Sequence, residues 1–227
     1  MSIIIALLIF SLIVLFHEFG HFLLAKKNGI TVVEFSLGMG PRLLSFDKGG
    51  TKYSWKLLPF GGSCMMLVED EGTMELGAFA AASVWARISV IAAGPVFNFI
   101  LAFVLSLFIM GSIGYDKPVI LQVSDGYPAA EAGLKEGDIV KKINHSNIHV
   151  AREVTNYVTF HQKQSVTMTV ERDGKDITVQ MDPVANESGR YIFGISCSSN
   201  YREKCGILGT LKYSAYEVKY WIQLTIE

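Results

Sequence analysis

His17, Glu18 and His21 form an H-E-x-x-H pattern inside the stretch LFHEFGHFLLAKK. Residues four apart on an α-helix are turned by about 400°, so His17 and His21 share one face. Two imidazoles placed this way can bind one Zn2+. Glu18 stands about 100° round the helix, close enough to take a proton from metal-bound water and pass it to a leaving amine. That is the chemistry of peptide hydrolysis. A catalytic zinc ordinarily has three protein ligands and one open position. The later apolar stretch 88–115 contains no Asp, Glu, His or Cys, and its Asn98 is a poor substitute. The third ligand is therefore expected outside these 227 residues, and the chain alone is expected to be inactive.

The surroundings of the pattern are unusual. From Ser2 to Ala25 the only ionisable residues are His17, Glu18 and His21. Ile88 to Tyr115 carries no charge at all. Each stretch exceeds the roughly 20 residues that cross a bilayer. Sixteen residues precede His17, or about 24 Å of helix, which places the pattern inside the lipid, nearer one face. Ionisable groups there cost several kcal/mol unless something compensates them, and metal coordination does. A cleaved signal peptide is disfavoured, because the start is not basic and no small-x-small site precedes Lys26. Lys26, Lys27, Arg42, Lys48, Lys52, Lys56 and Arg87 lie between the two stretches. The positive-inside rule puts that loop in the cytoplasm, and the region after Tyr115 outside. With 50% hydrophobic residues, 18% charged and a net charge of −1, the chain offers no footprint for nucleic acid.

The elements that must position these residues follow. Residues 28–60 are rich in β-branched and aromatic residues and read as a hairpin turning at Lys48–Thr51. It follows a membrane helix directly, so it is expected to lie at or dip into the membrane face. Residues 61–84, with Glu69, Asp70 and Glu71, read as a solvated loop. In AAGPVFNFILAF, Pro95 opens a kink, Gly94 admits a close neighbour, and Asn98 faces protein or a cavity. After Tyr115 come a strand, a short helix near Pro128, a helix REVTNYVTFHQ, a hairpin turning at Asp173-Gly174, and the strand YIFGIS. That is a small β-rich module. His145, His149 and His161 within it read as surface or packing residues. Residues 205–227 read as a helix with Leu208, Leu211, Tyr216, Tyr220 and Leu224 along one side. Cys197 and Cys205 fall outside the membrane, where either a disulfide or free thiols are allowed.

Four stretches in this order resemble the site-2 protease family of membrane-embedded zinc proteases: HEFGHFLLAKKNGITVVEFSLGMGP, GGTKYSWKLLPFGG, AAGPVFNFILAF and PAAEAGLKEGDIVKKIN. The last is similar to PDZ domains of bacterial proteases. The resemblance is to the bacterial enzymes of regulated intramembrane proteolysis with a single PDZ domain. It implies Zn2+ on His17 and His21, with Glu18 as the base. It also implies a membrane-embedded sheet that guides an extended substrate, with Asn98, Gly38 and Gly40 as substrate contacts. The expected fold class is an α-helical membrane protein with a membrane-associated β-sheet and a small α+β PDZ-like domain. Its parts are a span over 1–27, a cytoplasmic-side loop with the sheet over 28–84, and a second span over 85–114. The PDZ-like domain covers 115–197, and a linker with an amphipathic helix covers 198–227.

The implied location is the bacterial cytoplasmic membrane, in a multi-pass protein with the PDZ domain on the extracytoplasmic side. The implied partners are the lipid bilayer and single-span membrane proteins such as anti-sigma factors and remnant signal peptides. The PDZ domain has two open roles: capture of a peptide C-terminus by strand addition, or restriction of entry. In this family the third ligand is an Asp from a later span, and no matching motif occurs here. The alternative reading is a catalytically inactive, membrane-anchored PDZ scaffold.

Overall fold

The structure is a computed structural model that describes residues 2–67, 76–186, 188–197 and 201–226. The acidic run Glu69-Asp70-Glu71 lies outside the described residues. The chain divides into two compact units, Met1–Ala102 and Phe103–Glu227.

The first unit is built on α1 (Ser2–Lys27), β1 (Val32–Lys48), β2 (Thr51–Met66) and the first two-thirds of α2 (Val84–Ile113). Both helices are long and apolar enough to cross a membrane. α1 has no polar stripe, and it buries only Ser11, Gly20 and Ala25. These small residues mark where other elements approach. A Cβ on Gly20 would lie 2.6 Å from the Ala93 carbonyl oxygen, so the backbones of α1 and α2 nearly touch there. Small residues permit such crossings between apolar helices, where close packing replaces the missing hydrophobic drive.

β1 and β2 fold back on themselves into a four-ribbon sheet. Segment 44–47 pairs with 52–55 across the turn, which Gly49 and Gly50 make at φ 58° and 73°. Segment 34–37 lies between 52–55 on one side and 62–65 on the other. Residues 62–66 therefore form an outer ribbon. The strand β2 runs to Met66, so the solvated loop expected to start at 61 starts later. Gly38 explains how β1 bends: its φ is 87°, and a Cβ there would sit 2.4 Å from the Leu58 carbonyl oxygen.

Two hydrogen bonds fix the sheet along α1. Ser11 Oγ donates to the Pro59 carbonyl at 2.7 Å, and Lys26 Nζ donates to the Gly49 carbonyl at 2.8 Å. The sheet thus flanks α1 from the level of residue 11 to that of residue 26. Its Met39, Leu43, Leu44, Phe46, Trp55 and Leu57 are exposed.

The second unit holds the end of α2 and the module. Its elements are β3 (Tyr115–Asp116), β4 (Ile120–Val123), α3 (Pro128–Glu131), β5 (Ile139–Ile143), β6 (Ser146–Asn147) and α4 (Ala151–Phe160). Then come β7 (Val166–Arg172), β8 (Lys175–Met181), β9 (Val184–Ala185), β10 (Tyr191–Ile192), β11 (Ile195–Cys197), β12 (Arg202–Glu203) and α5 (Ile207–Ile226). The main sheet has the order β6-β5-β7-β8, and β4 pairs with β11. Ile120, Val140, Ile143, Val154, Met168 and Phe193 are at the heart of its core.

α5 follows the expected side only in its later turns, where Tyr220 is buried and Tyr216 and Leu224 are half-buried, while Leu208 and Leu211 are exposed. Leu208 is 82% exposed, whereas Ser214, Glu217 and Tyr220 are buried. The cause is polar and aromatic anchoring. Arg152 pairs with Glu217 at 2.7 Å, Tyr213 stacks on Tyr115 at 3.6 Å, and Tyr216 stacks on His149 at 3.7 Å. Cys64, Cys197 and Cys205 are all free thiols. Burial, with Asp116 nearby, pushes the Cys197 thiol up to about 12, so it stays protonated and unreactive at neutral pH.

Candidate metal centre

The H-E-x-x-H residues fall in the middle of helix α1, where regular i, i+4 geometry sets the two imidazoles side by side. Their ring centroids are 4.8 Å apart and nearly perpendicular. What they converge on is set by α2. A Cβ on Gly94 would lie 2.5 Å from His17 Nε2 and 2.6 Å from His21 Nε2. Both Nε2 atoms therefore aim at one small space, open because residue 94 has no side chain.

The remaining ring nitrogens are held by α2 as well. His21 Nδ1 lies 2.7 Å from the Val90 carbonyl oxygen. A carbonyl only accepts, so Nδ1 carries the proton and Nε2 keeps a lone pair. This is the usual arrangement for a metal-binding histidine. His17 Nδ1 lies 3.1 Å from Asn98 Nδ2.

Glu18 turns to the sheet. Its Oε2 accepts the backbone N–H of Cys64 at 2.9 Å, which places the carboxylate on the outer ribbon 62–66. Gly62 gives room, since a Cβ there would press to 2.9 Å on the Ser36 carbonyl oxygen and touch Glu18 Cγ at 3.8 Å.

The residues present suit zinc. Two imidazole Nε2 atoms converge on a cradle that a Cβ would fill, and His21 is oriented by a carbonyl behind it so that its Nε2 lone pair faces that cradle. Among the described residues, no set of three His, Cys, Asp or Glu side chains could hold a metal together.

The sequence-predicted residues separate into two groups. His17, Glu18, His21 and Asn98 are brought together. Gly38 and Gly40 are not: the atoms nearest to their missing side chains belong to Lys56 and Leu58, and they serve the bend of β1. Asn98, expected as a substrate contact, lies within hydrogen-bond distance of His17. Sequence reasoning missed the Cys64 N–H and the Val90 carbonyl, because backbone groups carry no residue signature. Gly94 was legible only as a packing glycine.

The model of peptidase family M50 matches residues 5–217 of the chain. The chain belongs to peptidase family M50, the site-2 proteases. Proteins of this family are membrane-embedded, which accords with two helices fit to span. Among curated M50 relatives, one from Clostridium perfringens, provisionally named a zinc metalloprotease, is 37% identical over 86% of this chain and 58% of its own length. The Regulator of sigma-W protease RasP of Bacillus subtilis is 27% identical over 92% of this chain and 69% of its own. The PDZ domain of an SdrC-like protein from Listeria monocytogenes is 21% identical over 36% of this chain and 87% of its own, with a TM-score of 0.33. The M50 chain described here thus spans somewhat more than half the length of the clostridial relative.

Proposed function

We propose that the full-length protein is an intramembrane zinc metalloprotease. It cuts peptide bonds within or near the transmembrane segment of single-span membrane proteins. The observation that carries this reading is the convergence of His17 Nε2 and His21 Nε2 on the space over Gly94, with Glu18 on the adjoining face of the same helix. His17 and His21 would hold the metal. When bound, zinc supplies a Lewis acid for the carbonyl and lowers the pKa of water.

The chain's own residues do the rest. Val90 and Asn98 orient the two rings from behind. Glu18 is the proton carrier, held at Oε2 by the Cys64 N–H, with its other oxygen left to exchange a proton as far as the described residues go. The outer ribbon 62–66, which among the described residues pairs only with 32–37, is an edge to which an extended substrate strand would add beside that carboxylate. Substrate contacts at Gly38 and Gly40 would be indirect, through the bend that sets this ribbon.

The sheet's exposed Leu44, Phe46, Trp55 and Leu57 suit lipid contact better than water. The lysines and arginines between the spans support a cytoplasmic loop, and hence an extracytoplasmic module after residue 114. We assign that module as a PDZ-like domain. A groove of about 300 Å3 beside α4, lined by Val154, Val158, Tyr191, Phe193 and Ile195, gives a peptide C-terminus a place to bind. A role in sigma-factor regulation is supported by the name of the Bacillus subtilis relative, a regulator of sigma-W protease.

The test is cleavage of a single-span model substrate by the reconstituted full-length protein. Chelation should stop cleavage and added zinc should restore it. Cleavage that survives chelation overturns the reading.

A further inference from the structure

The two sides of ribbon 62–66 are not alike. In an antiparallel ribbon the N–H and carbonyl of one residue point to the same side, and the sides alternate along the chain. Leu67 N–H donates to the Thr31 carbonyl at 2.9 Å, so residue 67 faces inward, and 65 and 63 with it. Cys64 is the register partner of Phe35, yet its N–H donates outward, to Glu18 Oε2 at 2.9 Å. The two bonds agree on one phase. The outer edge therefore presents the backbone groups of Gly62, Cys64 and Met66.

A strand added at this edge meets an obstacle at its centre. Each ladder position needs an N–H for a substrate carbonyl, and the N–H of Cys64 is already given to a carboxylate. A hydrogen bond to an ionised acceptor is roughly twice as strong as one between neutral groups, so Glu18 keeps it. The ladder is left with a gap. Gly62 and Met66 donate and accept, whereas Cys64 only accepts, through its carbonyl. The substrate residue facing Cys64 gives its own N–H to the ribbon but finds no donor there for its carbonyl. Within a membrane such a carbonyl is costly unless something else takes it. The space over Gly94 that His17 and His21 face is where this site would hold an electrophile.

We propose that Glu18 sets the cleavage register by interrupting the ladder. The bond cut is the one that follows the substrate residue facing Cys64. In antiparallel addition, the residue two positions before that one faces Met66, and the residue two positions after it faces Gly62. This rests on the protease reading proposed above and adds which substrate bond lies at Glu18.

The test uses zinc-loaded, full-length Glu18→Gln and Glu18→Ala in detergent. Glutamine keeps an acceptor for the Cys64 N–H and alanine does not. The substrate is a single-span protein whose cut bond is first mapped by mass spectrometry with wild type. Esters then replace its amides one at a time, each removing one N–H. Affinity for Glu18→Gln should fall about 2–10-fold for the residue before the cut bond and for those two positions to either side. It should not change for the residues between them. Glu18→Ala frees the Cys64 N–H for the substrate, and should bind the unmodified substrate about 2–10-fold more tightly than Glu18→Gln. The proposal is overturned if the losses fall on the intervening residues or show no alternation. It is also overturned if Glu18→Ala binds no more tightly than Glu18→Gln. A wild type that cuts no substrate defeats the protease reading itself. The ester scan compares substrates on one protein, so it needs no second variant to fold.

Discussion

The carboxylate of Glu18 accepts the backbone N–H of Cys64 at 2.9 Å. The base is thereby tied to the ribbon on which an extended substrate would lie, and the side chain of residue 64 plays no part in the bond. Cys64→Ala should keep activity near that of wild type. Cys64→Pro, which has no N–H to donate, should lower kcat on the order of 100-fold, the scale of a roughly 1 Å misplacement of a reacting group. Steady-state cleavage of a model substrate by the two variants reads the difference. Equal activity would mean that the N–H does not hold the base.

Gly94 makes the metal cradle by absence. An alanine there would put Cβ 2.5 Å from His17 Nε2 and 2.6 Å from His21 Nε2. Alanine is the better helix former by about 1 kcal/mol, so α2 should persist. Gly94→Ala should therefore keep its helical circular dichroism and lose zinc affinity by at least about 100-fold, as the ligands are pushed off their geometry. Retained stoichiometric zinc in this variant would remove the cradle from the account.

Asp138 and Arg172 brace the module. The Asp138 side chain is 1% exposed, and Arg172 Nε and Nη2 each donate to it at 2.7 Å. Burial raises the Asp138 carboxyl, but Arg172 and the Lys135 backbone N–H draw it below its usual value overall. An acid depressed in the native state adds stability that is present above its unfolded pKa, about 3.9, and is lost as pH falls through the native value. Asp138→Asn should lower the thermal midpoint by roughly 5 °C at pH 7. The gap to wild type should narrow below about pH 4. A gap that does not change with pH would contradict the pairing.

Asp116 has the opposite sign. It is fully buried, and neither carboxylate oxygen has a partner among the described residues. Burial raises its carboxyl above the ordinary range; Arg152 and Arg202 oppose this, and Glu217 adds to it. The native state therefore favours the protonated form more than the unfolded chain does. Stability is fullest below the unfolded pKa and falls as pH climbs to the native one. Asp116→Asn, a neutral amide of the same shape, should raise the thermal midpoint by a few degrees at pH 8, and the gain should vanish below about pH 4. Destabilisation at pH 8 would show that the charge is compensated.

Much of this was legible in the sequence because periodic patterns encode it. The H-E-x-x-H spacing needs only a helix to align His17 and His21, and the charge-free run from Ile88 reads directly as a possible span. The hairpin turn was marked by Gly49-Gly50 and the module hairpin by Asp173-Gly174. The position of Glu18 on a sheet edge was not legible, since a backbone N–H 46 residues away leaves no trace in residue types. Asn98 was visible as an anomaly in an apolar helix, but its partner was not, because a hydrogen bond across 81 residues depends on how two helices cross. α5 was legible only in part, with Tyr220 on its buried side but Leu208 and Leu211 exposed, for a related reason. Its leucines suggest a core face, while an ion pair and ring stacking decide which face is buried.

The most direct measurement is Glu18→Gln in the reconstituted full-length protein, with bound zinc and substrate cleavage read on the same sample. The substitution keeps the shape and the hydrogen bond to Cys64 but removes the proton carrier. Zinc should remain stoichiometric while cleavage falls by at least about 100-fold, the scale of general acid–base catalysis. Cleavage at the wild-type rate by zinc-loaded Glu18→Gln would contradict the account.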